Sequence, residues 1–406
     1  MKKVMPVLLL VLFLACATGK GQNKEEPKPV ITAETFFEHV KFLGNKKMEG
    51  RLPGTECAKK ASQYIADKFK SYGIEPKGED KTYFQKVTFT ARGKEYKCRN
   101  VIGFIPGSDE KLKAEVIVVM GHYDHVGKGV YGVERKYSGK ICPGANDNAS
   151  GTAGVIEVGR AIKKEGLKLK RSVLLLTTTG EEAGLRGSQQ YVKKPAVALE
   201  KTMAVINLDQ IGGYERGVAA MGVHMSPQFD KGLDKALQTE DLNVVRQRIA
   251  GRGDNQCFNE RYIPSIFFWT GFGDHYHKPT DTVDKINKEK GAAICRLVVR
   301  LVEYLANEKE IESKLEKPRG SKKPYLGVST DETAEGVIVT GIGKDTPAEK
   351  AGLKKGDVVS SVDGKRTDTY RDFTAALNAH KPGDKVKLKI QRGEETKEIE
   401  VTLGER

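Results

Sequence analysis

No two cysteines in this 406-residue chain are spaced Cys-x-x-Cys, which argues against a zinc-thiolate site. The apolar run at residues 7–14 is too short to span a bilayer, and no other segment reads as a transmembrane helix. No internal repeat is present, which excludes solenoid and propeller architectures. The formal net charge is +15, yet no basic block is interleaved with aromatic residues and no nucleic-acid motif occurs. The lysines are scattered among glutamates, as in Lys163-Lys164-Glu165 and Glu308-Lys309-Glu310, so the charge reads as solvated faces. Nucleic acid is therefore not expected as a partner.

Residues 1–17 read as an export signal: Lys2 and Lys3 precede the apolar run, which leads to small residues. Leu14-Ala15-Cys16 resembles a bacterial lipobox, with Phe13 where such a motif prefers leucine. Ala15-Cys16-Ala17 also satisfies the rule for ordinary signal cleavage. A lipid on Cys16 is the favoured outcome and is the only membrane attachment expected. Either outcome implies an exported bacterial protein, periplasmic or anchored as a lipoprotein. Residues 18–31 are polar and suit a tether. After Cys16 the chain holds Cys57, Cys98, Cys142, Cys257 and Cys295, an odd number that leaves at least one thiol unpaired or bonded elsewhere. Cys142 is close to Asp147 in sequence, although the plainer reading is an unrelated loop thiol.

Residues 32–307 read as one α/β domain with a mixed, mostly parallel central sheet flanked by helices. Helices are expected over residues 56–71, after Asp147, and over 293–306, where Ile294, Leu297, Val298, Leu301, Val302 and Leu305 share one face. The helix after Asp147 begins with Ala149, Ser150, Gly151, Ala153 and Gly154, small residues that let the backbone approach a crowded site. Residues 308–323 are charged and aperiodic and read as a linker. Short β-type runs with one helix near 370–379 make 324–406 a small, mostly-β module.

Chemistry concentrates where apolar runs end. Val116-Ile-Val-Val-Met-Gly-His122, Leu174-Leu-Leu-Thr-Thr-Thr-Gly180-Glu181-Glu182, Ala204-Val-Ile-Asn-Leu-Asp209 and the run from Ile266 that leads to His277 read as buried strands carrying ligand-type residues past their carboxyl ends. Asp147 lies in a loop rich in Gly, Ala and Asn. Open parallel sheets bind ligands beyond that edge. His122, Asp147, Glu182, Asp209 and His277 supply two imidazoles and three carboxylates, enough for two zinc ions if Asp147 bridges. Glu181 is left without a ligand role, and a free carboxylate beside an activated water is the expected general base. Singly these signals are weak; their joint placement on one sheet edge gives them weight.

At these residues the chain resembles the co-catalytic zinc aminopeptidases, the family of bacterial leucyl aminopeptidase, in one superfamily with glutamate carboxypeptidase and the transferrin receptor ectodomain. The matching motifs are Gly-His-Tyr-Asp-His-Val-Gly (121–127), Gly-Ala-Asn-Asp-Asn-Ala-Ser-Gly (144–151), Gly-Glu-Glu-Ala-Gly-Leu-Arg-Gly-Ser (180–188), Asn-Leu-Asp (207–209) and Tyr-His-Lys-Pro-Thr-Asp-Thr (276–282). Arg51-Leu-Pro-Gly-Thr55 is similar to the family's opening segment. The resemblance implies that His122 and Asp209 hold one zinc, Glu182 and His277 the other, and Asp147 both. It further implies Glu181 as general base, Asp124 as the carboxylate that orients the first histidine, and a cis peptide between Asp147 and Asn148. Two departures leave substrate preference open: Gly253-Asp254-Asn255 stands where many relatives have Ser-Asp-His, and Gly273 where many have histidine.

Residues 324–406 resemble a PDZ domain. Tyr325, Leu326, Gly327 and Val328 match the carboxylate-binding loop, and Thr346-Pro-Ala-Glu-Lys-Ala-Gly-Leu-Lys-Lys-Gly-Asp-Val-Val359 matches the long central motif. Such a loop captures polypeptide C-termini while the peptide adds a strand. The expectation is an exported aminopeptidase that acts on peptides. The alternatives are a carboxypeptidase or single-zinc glutaminyl cyclase on the same fold, or a non-catalytic peptide-binding protein.

Overall fold

In the computed structural model, which describes residues 29–315 and 324–405 apart from 92, 214, 216, 334 and 335, the four apolar runs are strands at the centre of one sheet. The expected signal segment, most of the tether and residues 316–323 lie outside the described residues. Two compact units divide after Leu315.

The first half of the first unit contains α1 (Ala33–Leu43), α2 (Glu56–Ser71), β1 (Glu75–Pro76), β2 (Phe84–Ala91), β3 (Lys94–Ile105) and β4 (Val116–His122). Then come α3 (Gly151–Lys164), β5 (Ser172–Thr178), α4 (Arg186–Lys193), β6 (Thr202–Asp209), β7 (Val218–Met221) and α5 (Pro227–Ala236). The unit closes with β8 (Val244–Gln247), α6 (Gln256–Asn259), β9 (Ser265–Trp269) and α7 (Lys288–Asn307). The sheet order is β1-β3-β5-β4-β6-β9-β7-β8, with β2 on β3. β4 runs parallel to β5 and β6, and β6 parallel to β9, whereas β3 and β7 pair antiparallel to their central neighbours. The sheet is thus mixed and mostly parallel at its centre, as the sequence implies.

Central strands buried on both faces explain the unbroken apolar runs. Ile117, Val119, Val173 and Leu175 join the core under α1, α2, α3, α5 and α7. Their alternate neighbours Val118, Met120, Leu174 and Leu176 point the other way, onto Tyr191 of α4 and Phe258 of α6. Thr55 caps α2 by accepting from the Ala58 amide, which fixes the start of that helix where the sequence places it. α7 begins five residues before the expected 293, because the Asn287 side chain caps it through the Lys290 amide. Apolar periodicity marks only the face that packs, not the polar first turn.

The first unit also continues past α7. Ile311 is buried, the Lys314 amide donates to the Met225 carbonyl at 2.8 Å, and the Ser313 hydroxyl donates to the Tyr262 carbonyl at 3.0 Å. Residues 308–315, read as linker, are therefore packed chain; isolated apolar residues too sparse to show a period still anchor it.

The second unit consists of β10 (Pro324–Tyr325), β11 (Val328–Thr333), β12 (Gly336–Ile342), α8 (Pro347–Lys350), β13 (Val358–Val362) and β14 (Lys365–Arg366), followed by α9 (Tyr370–Asn378), β15 (Lys385–Arg392), β16 (Glu395–Thr402) and β17 (Gly404–Glu405). Its antiparallel sheet runs β11-β12-β13-β15-β16, with β14 on β13, while β10 pairs with β17. Val337, Val359, Phe373, Val386 and Leu388 form its core. β11 pairs with β12 on one side and, among the described strands, with none on the other.

Candidate metal centre

Parallel pairing brings the carboxyl ends of β4, β5 and β6 level, since His122 is opposite Thr178 and Met120 is opposite Asn207. His122 and Asp209 end their strands, Glu181 and Glu182 follow β5 directly, and His277 arrives on the loop after β9. Asp147 comes from the segment that leads into α3. That segment is placed by close backbone approach: a Cβ on Gly151 would lie 2.2 Å from the Leu208 carbonyl oxygen. The small residues at the start of α3 therefore seat it against the end of β6.

The donor atoms form two groups that share Asp147: His122, Asp147 and Asp209 in one, and His125, Asp147, Glu182 and His277 in the other. His122 Nε2 lies 3.5 Å from Asp147 Oδ1 and 3.5 Å from Asp209 Oδ1. His277 Nε2 lies 3.3 Å from Asp147 Oδ2 and 2.9 Å from Glu182 Oε2. The two oxygens of Asp147 thus face different imidazoles. Glu181 Oε2 stands 4.0 Å from His122 Nε2 and belongs to neither group. The Asp147–Asn148 peptide is cis.

Both imidazoles have their other nitrogen on a backbone carbonyl. His122 Nδ1 is 3.2 Å from the Asp124 oxygen, and His277 Nδ1 is 2.9 Å from the Gly132 oxygen. A carbonyl only accepts, so Nδ1 donates and Nε2 is turned into the centre. There it meets carboxylate oxygens, and Asp209 Oδ1 and His277 Nε2 have no hydrogen-bond partner among the described residues. Such a buried cluster needs protons or cations between its members, and an imidazole–carboxylate set suits zinc. The residues fit a pair of metal ions sharing one carboxylate.

Proton affinities register the same crowding. Burial raises Asp147 to about 7, with repulsion from Glu182 added, and burial likewise holds Glu181 well above the carboxylate range. Burial opposes the charged forms of His122 and His277, but neighbouring carboxylates outweigh it, lifting His122 well above its ordinary value and His277 to about 11. A buried excess of negative charge of this kind is what divalent cations neutralise.

Several supporting residues are ones to which the sequence reading assigned no role. His125 is fully buried, and its Nδ1 lies 2.8 Å from Glu182 Oε1, with burial lowering its pKa to about 4. Asp281 accepts from the Asn146 and Asp147 amides at 2.8 and 3.0 Å. The Asn148 side chain donates to the Leu208 carbonyl and accepts from the Gly151 and Gln210 amides, stitching the Asp147 segment to the end of β6. His125, Asn148 and Asp281 sit inside the quoted motifs, which is the one signal that could have marked them. Asp124, expected to orient His122 through its carboxylate, does so at closest range through its carbonyl; its Oδ1 is 3.7 Å from His122 Nδ1 and accepts from the Glu181 amide at 3.2 Å. Cys142 is buried with Sγ 3.8 Å from the His277 carbonyl, and is in neither donor group. All five described cysteines are free thiols.

The centre opens into a cavity of ≈ 470 Å³ whose wall includes Met221, Ile249, Phe267, Trp269, Phe272 and Tyr276. Tyr276 stacks on His277 with centroids 3.9 Å apart.

Residues 100–302 match the model of peptidase family M28. The chain belongs to peptidase family M28. Residues 324–403 match the PDZ domain, so an M28 unit precedes a PDZ unit. Aminopeptidase YwaD of Bacillus subtilis is 26% identical over 244 residues, 57% of this chain and 49% of that protein. Leucine aminopeptidase 2 of Arthroderma otae is 28% identical over 220 residues, 47% of this chain and 41% of its own length. The chain thus spans half or less of these relatives. The M28 fold recurs in the aminopeptidase from Aneurinibacillus sp. strain AM-1, with a TM-score of 0.55 at 20% identity over 70% of this chain and 96% of that one. It recurs also in a glutaminyl cyclase from Bacteroides thetaiotaomicron, with a TM-score of 0.57 at 20% identity over 69% and 99%. The buried His/Asp/Glu groups are typical of a co-catalytic zinc peptidase.

Proposed function

We propose that this M28 chain is an exported di-zinc aminopeptidase that removes N-terminal residues from peptides. The observation that carries the reading is the double use of Asp147, whose two oxygens face His122 and His277 in two separate donor groups. His122 and Asp209 would hold one zinc, Glu182 and His277 the other, and Asp147 both. Zinc held by these residues would supply Lewis-acid polarisation of a scissile carbonyl and a more acidic water.

Glu181 is the proton carrier in this reading. It takes a proton from the attacking water and returns it to the leaving amine. Asp124 positions both sides of the reaction, with its carbonyl toward His122 Nδ1 and its carboxylate on the Glu181 amide. His125 holds Glu182 from behind. The apolar wall of Met221, Phe267 and Trp269 favours a large apolar N-terminal side chain.

Export rests on residues 1–17. The PDZ unit is read as a receptor for polypeptide C-termini at Tyr325, Leu326, Gly327 and Val328, beside the edge of β11 that pairs with no other described strand. A glutaminyl cyclase shares the fold, but a single-ion enzyme does not need the second donor group.

The zinc-loaded chain should hydrolyse leucyl peptides with a free amine and leave N-acetylated ones and N-terminal glutaminyl peptides unchanged. Glu181→Gln should retain its zinc and lose at least about a hundredfold in kcat, the scale of general acid–base catalysis. Cyclisation of glutaminyl peptides, or near-normal turnover by Glu181→Gln, would overturn the assignment.

A further inference from the structure

The loop from Ile249 to Asn255 carries one of the two departures from the family pattern, and it forms part of the wall of the catalytic cavity. It is pinned at both flanks of Arg252. Gly251 and Gly253 are buried on the ring of Phe267, where a Cβ would lie 2.4 and 3.0 Å from ring atoms. Asn255 donates to the Gly251 carbonyl and to the Ser265 hydroxyl at 3.3 and 3.0 Å. Asp254 accepts from the Thr178 hydroxyl at the end of β5. Between these anchors Arg252 alone is exposed.

Arg252 is the only lysine or arginine on the cavity wall among the described residues, where the other charged groups are Asp147, Glu181, Glu182, Asp209 and His122. No hydrogen bond or ion pair engages its side chain among the described residues. The rim beside it is apolar and open, with Ile249 61% and Phe272 65% exposed. A guanidinium held on a rigid loop, facing a cavity and left unpaired, is a ready partner for a carboxylate.

We infer that Arg252 binds a carboxylate on the leaving side of the scissile bond, so that the enzyme selects short peptides or peptides with an acidic second residue. This rests on the aminopeptidase reading. The substrate's ammonium end goes to the acidic centre, and the chain then runs toward the mouth. At ~3.5 Å per residue, a cavity of this size confines the carboxylate to the first one or two residues beyond the cleaved bond. Two sources share that chemistry: the C-terminal carboxylate of a dipeptide or tripeptide, and an Asp or Glu side chain after the cleaved bond.

The test compares kcat/KM within matched pairs on the zinc-loaded full chain: Leu-Gly against Leu-Gly-amide for the terminal carboxylate, and Leu-Glu-amide against Leu-Gln-amide for the side chain. At least one pair should favour the acid by about tenfold or more, the scale of a charge-assisted hydrogen bond. In Arg252→Gln that ratio should fall to about one, and Arg252→Glu should prefer Leu-Lys-amide to Leu-Gln-amide. Ratios within a pair cancel any change in folding or zinc content. Ratios near one in the wild type, or ratios unmoved by Arg252→Gln, overturn the inference while leaving the aminopeptidase reading intact. Failure to turn over any of these peptides overturns that reading and the inference with it.

Discussion

Arg51 offers a direct measure of how the centre is held. Its fully buried guanidinium donates to four carbonyls: Tyr123 at 2.6 Å, Leu43 at 2.5 Å, Pro143 at 2.8 Å and Gly144 at 2.8 Å. Tyr123 lies between His122 and Asp124, and Gly144 opens the segment that carries Asp147. One side chain therefore ties two ligand-bearing loops to the end of α1. Burial lowers its pKa to about 10, with Asp281 and Asp124 pulling the other way, so it remains charged at neutral pH. Arg51→Met keeps an unbranched stem and removes every donor. The Gly144 carbonyl also accepts from the Ala149 amide at 3.2 Å, so three carbonyls lose their donor, and at about 1 kcal/mol each, the low end of the desolvation range, they cost about 3 kcal/mol. Loss of the cation beside the acidic cluster adds to that. The prediction is a destabilisation of about 3 kcal/mol or more, a large share of a typical domain's stability. Urea unfolding followed by the fluorescence of Trp269 is the assay, because this is the chain's single tryptophan and reports the first unit alone. A loss below about 1 kcal/mol would refute the clamp.

Three further outcomes are expected. Asp147→Ala should lose zinc on dialysis more completely than Asp209→Ala, because it removes a ligand from both donor groups; equal loss by elemental analysis would argue against bridging. A chain ending at Leu315 should keep its activity on short leucyl peptides, since all ligands and Glu181 lie upstream, whereas one ending at Asn307 also strips the buried Ile311 and should unfold at lower urea; equal midpoints would show that residues 308–315 are dispensable. Glu157 is buried against Arg160, His39 and Thr35; burial alone would raise its pKa, but those hydrogen bonds hold it at about 2 instead of 4.5. Its folded-state value is depressed, so its contribution is present above pH 4.5 and is lost as pH falls toward 2. At ~1.4 kcal/mol per tenfold change in proton affinity this is about 3 kcal/mol. Wild type and Glu157→Gln should therefore differ most above pH 5 and converge in acid, and a difference independent of pH would contradict the account.

Much of this protein is legible along the chain because its centre is built from parallel strands. Such strands are buried on both faces and show as unbroken apolar runs, and a functional sheet edge places its chemistry directly after them. His122, Glu181, Glu182 and Asp209 are local in that sense, each within a few residues of a strand end. α2 is equally local, bounded by the Thr55 cap and by Tyr72-Gly73. The polar first turn of α7 and the packed residues 308–315 were not legible, since neither carries an apolar period.

The residues that support the centre belong to tertiary structure. His125 meets Glu182 across 57 positions, Asp281 meets the Asn146 amide across 135, and Arg51 meets Gly144 across 93. Composition and spacing state that a histidine, a carboxylate and an arginine exist; strand order decides which carbonyl or carboxylate each one finds. The same holds for Arg252, whose character as an open guanidinium depends on two loop glycines pressed against Phe267 of β9. The amino-acid pattern by itself determined the central strands and the edge past which the candidate donors gather. Folding alone decided how Asp147 divides its two oxygens between His122 and His277, because that depends on distances between loops that no local sequence rule contains.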